Sequence, residues 1–227
     1  LEWHQPHLRI LDLQCCTEMA EILAWVEDWL PYPQPGMIAV DAPTLIPNPT
    51  GMRQCDRLAH QYFGRAHAGC YPANQGLSFA QRTVEFGVQL EQRGFSHAPE
   101  ITAQQPGRYQ IEVFPHTATL YLFSLTQIIK YKKGRLAERR QGLSQLRRLI
   151  LEQLSQAQPA LQFTLPIPAI PTTGLALKAV EDQLDSLICA YVAAHWWVWG
   201  KAKNLVLGEQ ATGYIVVPFA HPSQVRV

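Results

Sequence analysis

The sequence predicts an α/β fold, and three observations lead there. Short strand-type runs, alternating or continuously apolar, are separated by longer stretches whose apolar residues recur every three or four positions. Glycine and proline stand at the boundaries of those runs, as at Pro31, Gly64, Gly94 and Pro115. Of the 227 residues, 47% are hydrophobic and 16% charged, a balance that supports a large core and excludes a generally disordered chain. The length suits one domain over residues 1–227, with a helical insertion over about 117–174.

Taken in order, Leu8 to Leu13 alternates like a strand. Thr17 is placed to cap a helix whose first turn carries Glu18 and Glu21, with Ala20, Ile22, Leu23, Val26 and Leu30 as its apolar face. Pro31, Pro33 and Pro35 break it. Met37 to Val40 is continuously apolar, the mark of a strand covered on both faces, and it ends at Asp41. Helices are predicted over Thr50–Phe63 and Phe79–Arg93, stopped by Gly64 and Gly94. Tyr109 to Phe114 reads as the next strand, broken by Pro115, and Thr117–Leu125 as a short helix. Leu143, Leu146, Leu149, Ile150 and Leu154 give Leu136–Gln156 helical spacing. A proline-rich connection (Pro159, Pro166, Pro168, Pro171) leads to a long helix over Leu175–Trp199. Leu205–Leu207 and Gly213–Pro218 then read as a hairpin or two short strands. The chain opens at Leu1 without a Met, straight onto a strand pattern, so residues upstream are expected.

Several function classes drop out. Five cysteines without CxxC spacing support neither a disulfide framework nor structural zinc. The longest apolar run, Ser186 to Trp199, contains His195 and is too short to span a bilayer, so a cytoplasmic chain with no membrane contact is expected. No glycine motif that cradles phosphate and no Ser/His/Asp set is present.

Carboxylates stand where chemistry would sit. In open α/β sheets, ligand sites form at the carboxyl ends of strands. Asp41 lies there, and Glu112 sits inside the next strand with His116 just beyond. The plainer readings are a turn cap for Asp41 and a solvent-facing edge position for Glu112. Glu181, Asp182 and Asp185 share one helix face with Lys178 as the nearby cation, so either a divalent ion relieves their repulsion or the face is solvated. Carboxylates from two strands and a late helix can hold two divalent ions about 3.5–4 Å apart, which activate water and stabilise the leaving oxygen of a phosphodiester.

The ordered motifs Ile38-Ala39-Val40-Asp41-Ala42-Pro43, Arg53-Gln54-Cys55-Asp56, Gly64-Arg65, Tyr71-Pro72-Ala73-Asn74, Glu112-Val113-Phe114-Pro115, Asp182-Gln183-Leu184-Asp185-Ser186-Leu187 and Gly213 to Pro218 together resemble domain-of-unknown-function family 429. Its members are commonly described as predicted RNase H-like nucleases. The resemblance spans about Met37 to Pro218. It implies a central mixed β-sheet flanked by helices and an acidic cluster at Asp41, Asp182 and Asp185, with Glu112 in the family's Glu-Val-x-Pro pattern. The family's first strand, which carries an Asp of its own, has no match here. Leu8–Leu13 resembles a later strand of the opening hairpin, and Asp12 is a poor substitute for the ligand expected upstream.

Partners are suggested by charge distribution. The net charge is +1, yet eight of the nineteen cations and one of the eighteen carboxylates fall between Lys130 and Arg148, giving +7 there and −6 elsewhere. Lys130, Lys132, Lys133, Arg135, Arg139 and Arg140 are the expected phosphate contacts to nucleic acid, and the resemblance implies that Arg53 adds to them. A solvated helix face is the plainer reading of that block, which could equally dock an acidic protein. Trp196, Trp197 and Trp199 read as core or as a homodimer contact before base stacking. The expected function is divalent-metal-dependent (Mg²⁺ or Mn²⁺) phosphodiester hydrolysis, with Asp41, Asp185, Asp182 and Glu112 as ligands. The alternatives are a non-catalytic nucleic-acid or protein-binding module, and a nucleotide-binding phosphotransferase.

Overall fold

A computed structural model describes residues 1–219. The chain runs β1 (Glu2–His4), β2 (His7–Arg9), α1 (Met19–Trp29), β3 (Gly36–Val40), α2 (Gln54–Phe63), α3 (Ala80–Gln92), β4 (Ser96–His97) and β5 (Arg108–Glu112). It continues through α4 (Pro115–Leu122), α5 (Leu136–Gln153), β6 (Ala160–Gln162), α6 (Gly174–Trp199), β7 (Asn204–Glu209) and β8 (Gly213–Pro218). The α/β class is as predicted. In place of one central sheet, the described residues form three small ones: β1-β2-β6, β3-β5-β4 and the β7-β8 hairpin. One parallel bridge, Val113 to Val216, links the end of β5 to β8. Pro115, with no N–H to give, then opens α4 instead of extending the ladder.

Helix α6 is the axis of the core. Leu177, Leu184, Ile188, Tyr191, Val192 and Trp196 recur at helical spacing and are buried, with Leu143, Leu146 and Ile150 of α5 in the same cluster. Strand β3 separates that core from a smaller one. Met37 and Ala39 pack into the α5–α6 cluster, whereas Ile38 and Val40 pack on Leu23, Val26, Leu90 and Phe95 from α1, α3 and the turn before β4. The two-sided cover expected for Met37–Val40 therefore holds, through the period-two alternation of a strand.

Several local readings need correction. The strand expected at Leu8–Leu13 is β2, which starts at His7, pairs antiparallel with β1 and ends at Arg9. Helix α1 begins after Glu18, not Thr17. The Glu21 carboxylate accepts the Thr17 and Glu18 N–H groups, so capping comes from the third helical position. Helix α2 starts at Gln54, later than Thr50, because Arg53 is tied down as its N-cap residue. Among the described residues, no helix is long and apolar enough to cross a membrane.

Candidate active site

Parallel pairing of β3 with β5 sets Val40 opposite Glu112, so both strands finish at the same level. Asp41 follows directly. Asp185 reaches the same place from the middle of α6. Between them lies the Lys132 ammonium, delivered by the irregular segment between α4 and α5. It stands 2.8 Å from Asp185 Oδ2 and 3.6 Å from Asp41 Oδ2. The two carboxylates thus meet at one cation, closer together than those two distances placed end to end. The Tyr131 hydroxyl donates to Asp185 Oδ1 at 2.7 Å.

The surroundings set the electrostatics. Asp185 is 3% exposed, and burial raises its carboxyl against the opposing pull of Lys132 and Tyr131. The Asp41 side chain keeps 37% exposure. Desolvation by the surrounding protein nevertheless pushes it up to about 7, with Lys132 opposing and the Asp185 charge adding. His116 meets the Tyr131 ring edge-on at 5.2 Å, and its Nε2 is buried without a hydrogen-bond partner. Burial, helped by the Lys132 charge, holds that imidazole down at about 4. One turn before Asp185, Glu181 is buried and takes Lys178 at 2.8 Å and Arg139 at 3.3 Å. Lys178 is therefore not alone in relieving the acidic face; Lys132 and Arg139 share that role. Asp182 turns outward, 54% exposed, onto Lys178.

Glu112 belongs to a second cluster. Its two oxygens accept the Arg53 guanidinium at 2.7 Å each, and the same guanidinium donates to Asp56 at 2.8 and 3.3 Å and to the Leu45 carbonyl at 3.0 Å. Asp56 also accepts the Ala73 N–H at 3.0 Å. Arg53, Asp56 and Glu112 are 3%, 0% and 5% exposed. Burial pushes the Glu112 carboxyl up, against the pull of Arg53. Arg53 and Asp56 pair across the first turn of α2. Two readings are overturned: Glu112 is not solvent-facing, and Arg53 is sealed in and cannot present itself to a phosphate backbone.

The basic block divides in the same way. Lys132 and Arg139 join the carboxylates. Arg140 donates to the Pro171 carbonyl and Arg147 to those of Pro168 and Ile167, so these two hold the proline-rich connection against α5. Lys130, Lys133 and Arg135 are exposed, Lys133 resting on Tyr71. Asp12 accepts the Trp25 indole N–H at 2.9 Å. A surface recess of about 510 Å³ lined by Tyr32, Pro35, Gly94 and Arg108 lies at the opposite, amino-terminal end of β3 and β5.

The chain matches, over residues 1–210, the model of a family described as Protein of unknown function (DUF429). It belongs to that family. No curated protein and no solved structure matches it. In this DUF429 chain the motifs that looked scattered in sequence gather in space. Arg53, Asp56, Ala73 and Glu112 make the buried trio with its backbone tie, while Asp41, Asp185 and Lys132 make the open one.

Whether a hard divalent ion fits rests on the donors. Asp41 and Asp185 are oxygen donors that already converge on a cation, the right kind for Mg²⁺ or Mn²⁺. Among the described residues, no group of three or more His, Cys, Asp or Glu is arranged to hold a metal. A divalent ion held by these two carboxylates alone would keep several of its waters.

Proposed function

We propose that this chain is a divalent-metal-dependent phosphodiesterase acting on nucleic acid, built on an RNase H-like fold. The observation that carries the proposal is the meeting of Asp41, at a strand end, with Asp185, from a late helix, at one cationic position. The fold reading draws support from the parallel β3-β5-β4 sheet with α6 packed along one face of β3.

Asp41 and Asp185 would hold the metal, which supplies an activated water and stabilisation of the leaving oxygen. Tyr131 holds Asp185 in orientation through its hydroxyl. Lys130, Lys133 and Arg135, on the exposed stretch beside Lys132, are placed to meet phosphates. The Arg53–Glu112–Asp56 trio acts at one remove, tying the end of β5 to α2 and to the segment after Asp41. A second reading, a binding module without chemistry, is favoured by one observation: Lys132 already neutralises much of the charge that a metal would answer.

Incubating the full chain with labelled DNA and RNA, with Mn²⁺ or with a chelator, decides between them. Cleavage is expected to require the metal and to fall by about a hundredfold or more in Asp41→Asn and Asp185→Asn. Cleavage indifferent to chelator and to both substitutions would sink the metal reading. Salt-sensitive binding without cleavage would support the module.

A further inference from the structure

Lys132 has a place in this site that metal binding by the carboxylates leaves unexplained. Its ammonium stands between Asp185 and Asp41 at 2.8 and 3.6 Å, the position a metal ion would claim. Asp185 rides on α6, Asp41 is the first residue after β3, and Tyr131 fixes the second oxygen of Asp185. The cation rides on a flexible four-carbon stem from an irregular segment. The carboxylates are thus the fixed partners and the ammonium the movable one.

Comparison with the buried trio sharpens the point. Arg53 is clamped by both oxygens of both its carboxylates and closed off from water. Lys132 is 27% exposed and Asp41 37%, so water and ions reach that pair. Charge points the same way. Glu181 and Asp182 are matched by Arg139 and Lys178, leaving Asp41 and Asp185 to share one ammonium. With both carboxylates ionised, one monovalent cation leaves the pair one positive charge short.

We propose that Lys132 is a resident counter-cation: it holds Asp41 and Asp185 together in the metal-free protein, yields its place to the divalent ion, and then turns its ammonium to a substrate phosphate. The proposal rests on the metal-dependent reading above. Exchange of one positive charge for two completes the charge balance, and Lys132 sets how much metal is needed to make the exchange.

The test is Mn²⁺ binding to the full chain, followed by calorimetry and by the Mn²⁺ electron paramagnetic resonance signal, without substrate. Lys132→Met keeps the length of the stem and removes the competing charge. It is expected to bind Mn²⁺ about tenfold more tightly than the wild type, the scale of one partly screened contact charge. Adding Asp41→Asn to Lys132→Met is expected to abolish the gain. Should Lys132→Met fail to fold without the ion, Lys132→Arg provides a second comparison. Its permanent, two-pronged cation is expected to weaken Mn²⁺ binding, and binding equal to wild type overturns the proposal. If Lys132→Met binds at an Asp41-dependent site with wild-type affinity, the counter-cation role is wrong and the metal reading stands. If neither protein shows Asp41-dependent binding, the metal reading itself fails and takes the counter-cation with it.

Discussion

Histidines record how strongly the interior of this chain resists charge. Burial pushes His97, His116 and His195 down to about 4. A histidine whose folded value lies below its unfolded one, about 6.5, contributes stability that is present above pH 6.5 and lost as pH falls through 4. His195 is the cleanest case, 8% exposed with its Nδ1 2.8 Å from Asn204 Oδ1. In urea denaturation, replacing it with Gln is expected to reduce the loss of stability between pH 7 and pH 4 by on the order of 2–3 kcal/mol. An unchanged pH profile would show that His195 does not titrate this way. At this scale the sequence was partly legible. Asp41 and Asp185 stood out because a strand end and a helical spacing are local patterns. Their partners did not, since Tyr131 reaches Asp185 across 54 residues and the path of an irregular segment is not written in any period. Arg53 looked like a surface cation for the same reason: one of its two carboxylates lies 59 residues away.

Elements depend on close approaches that a hydrophobic pattern does not reveal. Gly142 sits inside α5, and a Cβ there would press into the Lys130 carbonyl, 2.9 Å from its carbon and 3.1 Å from Tyr131 Cα. The missing side chain lets the segment carrying Tyr131 and Lys132 lie against the helix. Gly142→Ala, ordinarily favourable in a helix, is expected to cost about 1–3 kcal/mol through overpacking, measured by urea denaturation. A variant as stable as wild type, or more so, would show that the segment moves aside freely. The helices were legible because their apolar faces run for several turns between glycine and proline stops. Strands β1, β4 and β6 were not: two or three residues cannot show a period, and their partners alone make them strands.

The whole molecule redistributes the charge that the sequence displays. The +7 block is largely occupied internally, by carboxylates at Lys132 and Arg139 and by backbone carbonyls at Arg140 and Arg147. Arg148 faces Glu152. Lys130, Lys133 and Arg135 are exposed, as is Arg148, and the first three make no ion pair with a carboxylate among the described residues. The affinity for duplex DNA is therefore expected to fall with salt at a log–log slope near about −3, against about −7 if all eight cations met phosphates. Fluorescence anisotropy between about 50 and 200 mM salt reads the difference. The steeper slope would mean that the internal arginines are released on binding. The α/β class was legible from alternation along the chain, whereas the division into three sheets was not, because strand pairing is decided between segments far apart.

The β3–β5 ladder has one more consequence. Val40 lies opposite Glu112, so a single ladder delivers Asp41 to the open trio and Glu112 to the buried one. A slip of one residue would turn the strand's side chains to the wrong faces. Both trios would be lost in one event. A one-residue insertion or deletion within this stretch is therefore expected to undo both clusters together.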